Sequence, residues 1–182
     1  FFFKQKTAYE IPKRDWSSDV CSSDLVTLGG ATTVSTGSGN ATFTGAVNGG
    51  NTLTVNGTGT TTFTAAVGGT TPLTSLTTDA GGTVSLGSVT TTGVQSYGEN
   101  ATLNGTYTTT NSAFSVAGTT TLGGATTVST GSGNATFTGA VNGGNTLTVN
   151  STGATLFSAA VGGTTPLTSL TTRSEEHTSE LQ

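Results

Sequence analysis

The chain has 182 residues, a formal net charge of −4, five basic residues, nine acids, one Cys and one His. The charge is unevenly placed. All five basic residues, Cys21, Trp16, His177 and seven of the nine acids fall in residues 1–25 or 173–182, while all 28 Gly lie between them. Residues 26–172 keep Asp79 and Glu99 as their only charged side chains, which excludes a basic nucleic-acid surface there and removes the usual bases and thiols of catalysis.

Residues 1–25, FFFKQKTAYEIPKRDWSSDVCSSDL, open with an apolar run of three followed by basic residues. A secretion signal needs the opposite order and a longer apolar core, so these residues do not read as one. From residue 26 onward the chain repeats itself. Thr27 to Asn56 recurs without change at Thr121 to Asn150, which defines a 94-residue unit. Extended to residues 27–78 and 121–172, the copies differ only at Gly57/Ser151, Thr60/Ala154, Thr62/Leu156 and Thr64/Ser158. A finer, 20-residue echo lies inside the unit: TFTGAV at 42–47 is answered by TFTAAV at 62–67.

The predicted elements, in chain order, are strands at ATFTGAV, NTLTVN, TTFTAAV, TVSLGSV, ATLNGTY and SAFSVAG. Each alternates apolar or small residues with Thr or Ser at period two, and Gly-Gly, Asn-Gly and Gly-Ser-Gly supply the corners between them. No segment carries a helical apolar stripe. A coil of about 20 residues loses roughly 1–2 kcal/mol per residue in backbone entropy on ordering. Its two or three large apolar side chains return about 1.5–3 kcal/mol each. A lone coil cannot fold on that balance, so coils must stack and share a core. The expected fold is all-β, a parallel β-helix (solenoid) of roughly 20-residue coils. Phe43 is expected near Phe63, Leu53 near Leu73 and Phe137 near Phe157. The rival is an antiparallel β-sandwich array with the 94-residue unit as one domain, against which the 20-residue echo counts.

Residues 173–182, RSEEHTSELQ, break off from this pattern. They can be encoded by a DNA segment whose opposite strand, read one base out of frame, encodes WSSDVCSSDL, the sequence of residues 16–25. That DNA resembles a common short-read sequencing-library adapter, and FFFKQKTAYE resembles its outward continuation. The resemblance implies that residues 1–25 and 173–182 are translated adapter DNA, unstructured and unselected. His177 would then be no catalyst, Cys21 no nucleophile, and Lys4, Lys6, Lys13 and Arg14 no nucleic-acid patch.

The central segment resembles a different group. GGTTPLTSLTT, SVTTTGVQSYGENATLNGTY and TFTGAVNGGNTLTV look like repeats of filamentous-haemagglutinin-like and autotransporter-type β-strand-repeat surface adhesins. The likeness covers essentially all of residues 26–172. It implies a right-handed β-helical stalk in a secreted bacterial cell-surface protein, export through an outer-membrane translocator, and adhesion to host-surface or matrix glycans or proteins through the parent protein. The family's secretion domain and translocator are not among these residues.

For chemistry, residues 26–172 offer two carboxylates and hydroxyls with no His or Lys to activate them. Asp79 and Glu99 are separated by one period of the finer echo and would stack one coil apart as an acid pair, although solvated turn charges are the plainer reading. The expectation is therefore no enzyme, no catalytic, cofactor-binding or metal residues, no cofactor, no small-molecule substrate and no nucleic acid. Asn-x-Thr/Ser triplets at Asn40, Asn56, Asn100, Asn104, Asn134 and Asn150 match glycan acceptors, but Asn corners before Thr strands create that spacing by themselves. The TFT, TLT and TTT triplets raise ice binding by ranked Thr as an alternative. Direct glycan binding by a Thr/Asn face is another. The leading expectation is a structural stalk or adhesion repeat segment.

Overall fold

The computed structural model describes residues 25–173. The expectations placed on residues 1–25 and 173–182, including those for His177 and Cys21, fall outside the described residues except at Leu25 and Arg173. Those two end the edge strands Leu25–Thr27 and Ser169–Arg173. The described residues hold strands and no helix, and the strands pair in parallel from coil to coil. The fold is the expected β-solenoid, about seven turns of about 21 residues. The antiparallel sandwich is excluded by the strand direction.

Each coil has three faces. The first face carries Leu25–Thr27 and Ala46–Asn48, then Val67, then Val89–Thr91 and the end of Asn100–Thr109. It continues through the end of Thr120–Gly131 to Thr146–Ser151 and Ser169–Arg173. On the second face Thr32–Gly37, Thr52–Gly57, Ser75–Thr78 and Gln95–Tyr97 are followed by Phe114–Val116, Ala135–Phe137 and Thr155–Phe157. The third face runs from Ala41–Phe43 through Thr60–Phe63 and Thr83–Leu86 to the starts of Asn100–Thr109 and Thr120–Gly131. Val141 and Val161 extend it. Asn100–Thr109 and Thr120–Gly131 are long because they turn the corner from the third face to the first without losing pairing, with a register shift between Leu103 and Gly105.

Alternation at period two sends one set of side chains inward. Val47, Leu53, Leu76, Val89, Leu103, Val128 and Leu147 fill the centre of the coils with essentially no exposure. The stacked coils also align like on like. Phe43 and Phe63 stack face to face at 4.6 Å, and Phe137 and Phe157 at 5.1 Å, as the 20-residue echo predicts.

Leu53 does not stack on Leu73. It pairs with Leu76, while Leu73 bridges to Thr91. The reason is the segment Gly68–Thr74, which adds residues to the corner between the first and second faces. Coil length therefore varies. Val34, Val55, Thr78, Tyr97, Val116, Phe137 and Phe157 follow one another up the second face at unequal intervals, the longest from Val55 to Thr78 and the shortest on either side of Tyr97. At this corner Gly68 has φ +70°, and a Cβ there would lie 2.1 Å from Thr90 O of the next coil. Only glycine tolerates both demands.

Variable coil length has a larger effect on the 94-residue unit. From Val47 the first face rises through Val67, Val89 and Tyr107 to Val128, four whole coils. Val141, the counterpart of Val47 in the second copy, lies two faces further on. The unit is four and two-thirds coils long, so the second copy sits rotated by one face relative to the first. Pairing within each copy is nonetheless the same: Val34 with Val55 and Val128 with Val149, Phe43 with Phe63 and Phe137 with Phe157.

Candidate functional site

The only two carboxylates of residues 26–172 meet at the corner between the second and third faces. Thr78 pairs with Tyr97, which sets Asp79 beneath Gly98 and one coil below Glu99. A Cβ on Gly98 would lie 2.8 Å from the Asp79 carbonyl, so the two coils approach closely there. The two carboxylates then go different ways. Asp79 is half-buried, and both of its oxygens accept from Gly57 N, at 3.0 and 3.1 Å, in the coil below. Glu99 is 4% exposed.

The two acids do lie one coil apart at one corner, but Asp79 is in register with Gly98 and turns to the coil below, and the plainer reading of solvated turn charges fails at Glu99. Burial raises its carboxyl above the ordinary glutamate value. The Thr78 hydroxyl beside it pulls back, the Asp79 charge pushes further up, and the Gly82 amide pulls back in turn. Neither Glu99 Oε2 nor Thr78 Oγ1 completes a hydrogen bond. No three His, Cys, Asp or Glu side chains gather anywhere among the described residues.

A second polar cluster lies inside the rod and gave no sign in the sequence. Gln95, fully buried, donates from Nε2 to Thr108 O at 2.9 Å and to Val89 O and Thr91 Oγ1 at 3.3 Å. Tyr97 OH donates to Gln95 Oε1 at 3.2 Å, and Tyr107 OH donates to Leu86 O at 2.9 Å while accepting from Asn104 N. Burial pushes both phenols up, and Tyr107 adds to the rise of Tyr97. These groups satisfy one another, which fits a structural role.

The outward side chains make columns. On the second face Thr33, Thr54, Thr77, Ser96, Ser115 and Thr136 stand in register, and Ser115 Oγ donates to Ser96 Oγ at 3.3 Å. On the third face Thr42, Thr62, Ser85, Thr102 and Thr121 do the same. Thr106, Thr127, Thr148 and Thr171 make the column of the first face. Hydroxyls so stacked repeat about every 4.8 Å.

Several Asn residues that match glycan acceptors act as brackets between coils. Asn40 Oδ1 accepts from Thr60 N, Asn134 Oδ1 from Ala154 N, and Asn100 Oδ1 from both Thr119 N and Thr119 Oγ1. Asn48 and Asn142 brace the longer corner the same way, each accepting two backbone N–H bonds from the coil above.

No protein-family model, curated protein or solved structure matches the chain.

Proposed function

We propose that residues 26–172 are a length-building segment, a non-catalytic stalk or adhesion repeat of a large secreted bacterial surface protein. The observation that carries this reading is the rotated repeat. An identical stretch of sequence forms the same strands with the same pairing on a different face of the rod. A unit that seats in any rotational phase can be copied in tandem without matching a whole number of coils, as a spacer requires. A ligand surface needs its chemistry kept on one side. The hydroxyl-lined exterior supports the same role, since it is hydrated yet offers no charge pattern to dock on. On this reading receptor contact, with host-surface or matrix glycans or proteins, and passage through an outer-membrane translocator belong to the parent protein.

The test is small-angle scattering on this chain and on a version with one further 94-residue unit inserted. The longest dimension should grow by about 22 Å, four and two-thirds strand spacings, at constant cross-section. A thicker particle, or an expanded coil, contradicts the stalk.

The hydroxyl columns favour one second reading, ice binding by ranked Thr. Thermal hysteresis of the chain at high concentration would support it, and freezing behaviour equal to buffer removes it. For the flanks, we propose translated adapter DNA at residues 1–25 and 173–182. A long-read sequence of the source DNA should show the adapter inverted at each edge of the insert. Genomic DNA encoding both flanks in place overturns that.

A further inference from the structure

The corner at Glu99 has a feature that a stalk does not require. Glu99 Oε2 is buried without a hydrogen-bond partner, and so is Thr78 Oγ1 next to it. The Thr78 hydroxyl and the Gly82 amide face the carboxyl and lower it somewhat, but neither completes a bond to Oε2, and a buried carboxylate oxygen so weakly served is costly. No cationic side chain compensates it: the only one among the described residues, Arg173, lies on the last strand of the rod. Besides the Gly82 amide, the atoms that gather there are oxygens, Gly59 O also accepting from Thr83 N at 3.3 Å. A Cβ placed on Gly82 would lie 2.6 Å from Glu99 Oε2, 2.2 Å from Gly59 O and 3.1 Å from Gly57 O. Three acceptors from two neighbouring coils therefore converge on the open side of a glycine in the coil between them. The Asp79 carboxylate, held on Gly57 N, brings a second negative charge to the same corner.

We propose that this corner is a site for one divalent cation of the hard, oxygen-seeking kind, with calcium the best fit. Glu99 supplies the anionic ligand, carbonyls of Gly57 and Gly59 and the Thr78 hydroxyl supply neutral oxygens, and Asp79 balances the second charge. Calcium accepts irregular sets of carboxylate, carbonyl and water oxygens, whereas magnesium demands a near-ideal octahedron that a backbone corner does not provide. A cation here ties together three coils just where the first copy of the repeat gives way to the unrepeated segment that follows residue 78. The inference is independent of the stalk reading.

The experiment is thermal unfolding of the full chain at pH 7, freed of metal with EDTA, dialysed, and titrated with CaCl2 or MgCl2 at fixed ionic strength. Calcium should raise the midpoint saturably, with magnesium much weaker. Glu99→Gln, which keeps the shape and removes the charge, should weaken the calcium response at least tenfold, and Asp79→Asn should weaken it too. A wild-type midpoint indifferent to calcium overturns the site whatever the variants do. So does an equal response in Glu99→Gln, which would assign the binding to acids elsewhere in the chain. Should Glu99→Gln fail to fold, Asp79→Asn decides in the same way.

Discussion

Val34 and Val128 hold the same place in the repeated sequence, yet they stand on different faces of the rod. Val34 belongs to the ladder that climbs through Val55 and Thr78 to Phe137. Val128 belongs to the neighbouring ladder of Tyr107 and Val149. Each nonetheless pairs with the equivalent valine of its own copy, Val34 with Val55 and Val128 with Val149. Local sequence thus determines strand, register and partner, while rotational phase is inherited from the coils beneath. The pair also gives matched sites, identical in sequence and different in surroundings, on which single contacts can be tested.

Gly68 and Gly162 are one such pair. Both have left-handed φ, +70° and +71°. A Cβ on Gly68 would collide with Thr90 O at 2.1 Å, whereas on Gly162 the nearest atom is Pro166 Cα at 3.2 Å. Gly162→Ala should cost about 1–2 kcal/mol, the strain of the left-handed conformation. Gly68→Ala should cost clearly more, because backbone of the next coil must move. Urea unfolding of the two variants measures the difference, and equal costs would refute the collision.

Asn48 and Asn142 form a second pair. Asn48 Oδ1 accepts from Thr70 N at 2.9 Å and Thr71 N at 3.1 Å at a site 6% exposed overall. The same bonds at Asn142 are exposed to water. Asn48→Ala leaves two backbone donors without their acceptor and should cost about 1–3 kcal/mol for each that water cannot reach. Asn142→Ala should cost less, and hydrogen exchange at Thr70 and Thr71 should accelerate in the first variant.

Phe114 is the hub of the unrepeated middle. Its ring meets Tyr97 and Tyr107 edge-on at 5.8 and 5.7 Å and leans on Phe137 at 5.6 Å. Truncation to Ala should cost about 3–5 kcal/mol. A loss under about 1 kcal/mol by denaturant midpoint would mean that the coils close around the gap.

Glu99 predicts the sign of a pH effect. Its folded carboxyl titrates above the ordinary value of 4.5, chiefly through burial. Between those two points the folded chain keeps a proton that the unfolded chain has lost, so raising pH weakens the fold through that window. Below it the contribution is fully present, and above it the penalty is constant. In EDTA, wild-type stability should therefore fall relative to Glu99→Gln as pH rises from about 4.5. A difference that stays flat across the window contradicts the raised carboxyl.

Much of the architecture was legible because it is written in period two and in a 20-residue echo. TFTGAV and TFTAAV announce the stacking of Phe43 on Phe63, and their second copies that of Phe137 on Phe157. Leu53 misled because the same echo points to Leu73, while the corner after Gly68 lets the chain run on to Leu76 before the second face resumes. The rotated phase of the second copy was hidden for the same reason: it is the sum of several corner lengths, none of which the strand pattern records. A solvated turn charge is the plainer reading of Glu99 because a lone carboxylate after a Gly in a polar stretch gives no sign of burial. Its burial follows from Gly82 and Gly98, which bring the neighbouring coils too close to leave it in water. Gln95 was missed because its partners are backbone carbonyls and hydroxyls, most of them contributed by other faces of the rod.

The strands lie across the rod, so the hydrogen bonds between coils point along it. Tension on the two ends is therefore borne in series, one interface after another, rather than shared across a sheet sheared sideways. The weakest interface opens first and leaves both of its neighbours intact, because each coil rests only on the ones directly above and below. A rod of this kind yields by peeling in coil-sized steps, and the last coil still seated is the template on which the detached chain winds back when the load is released.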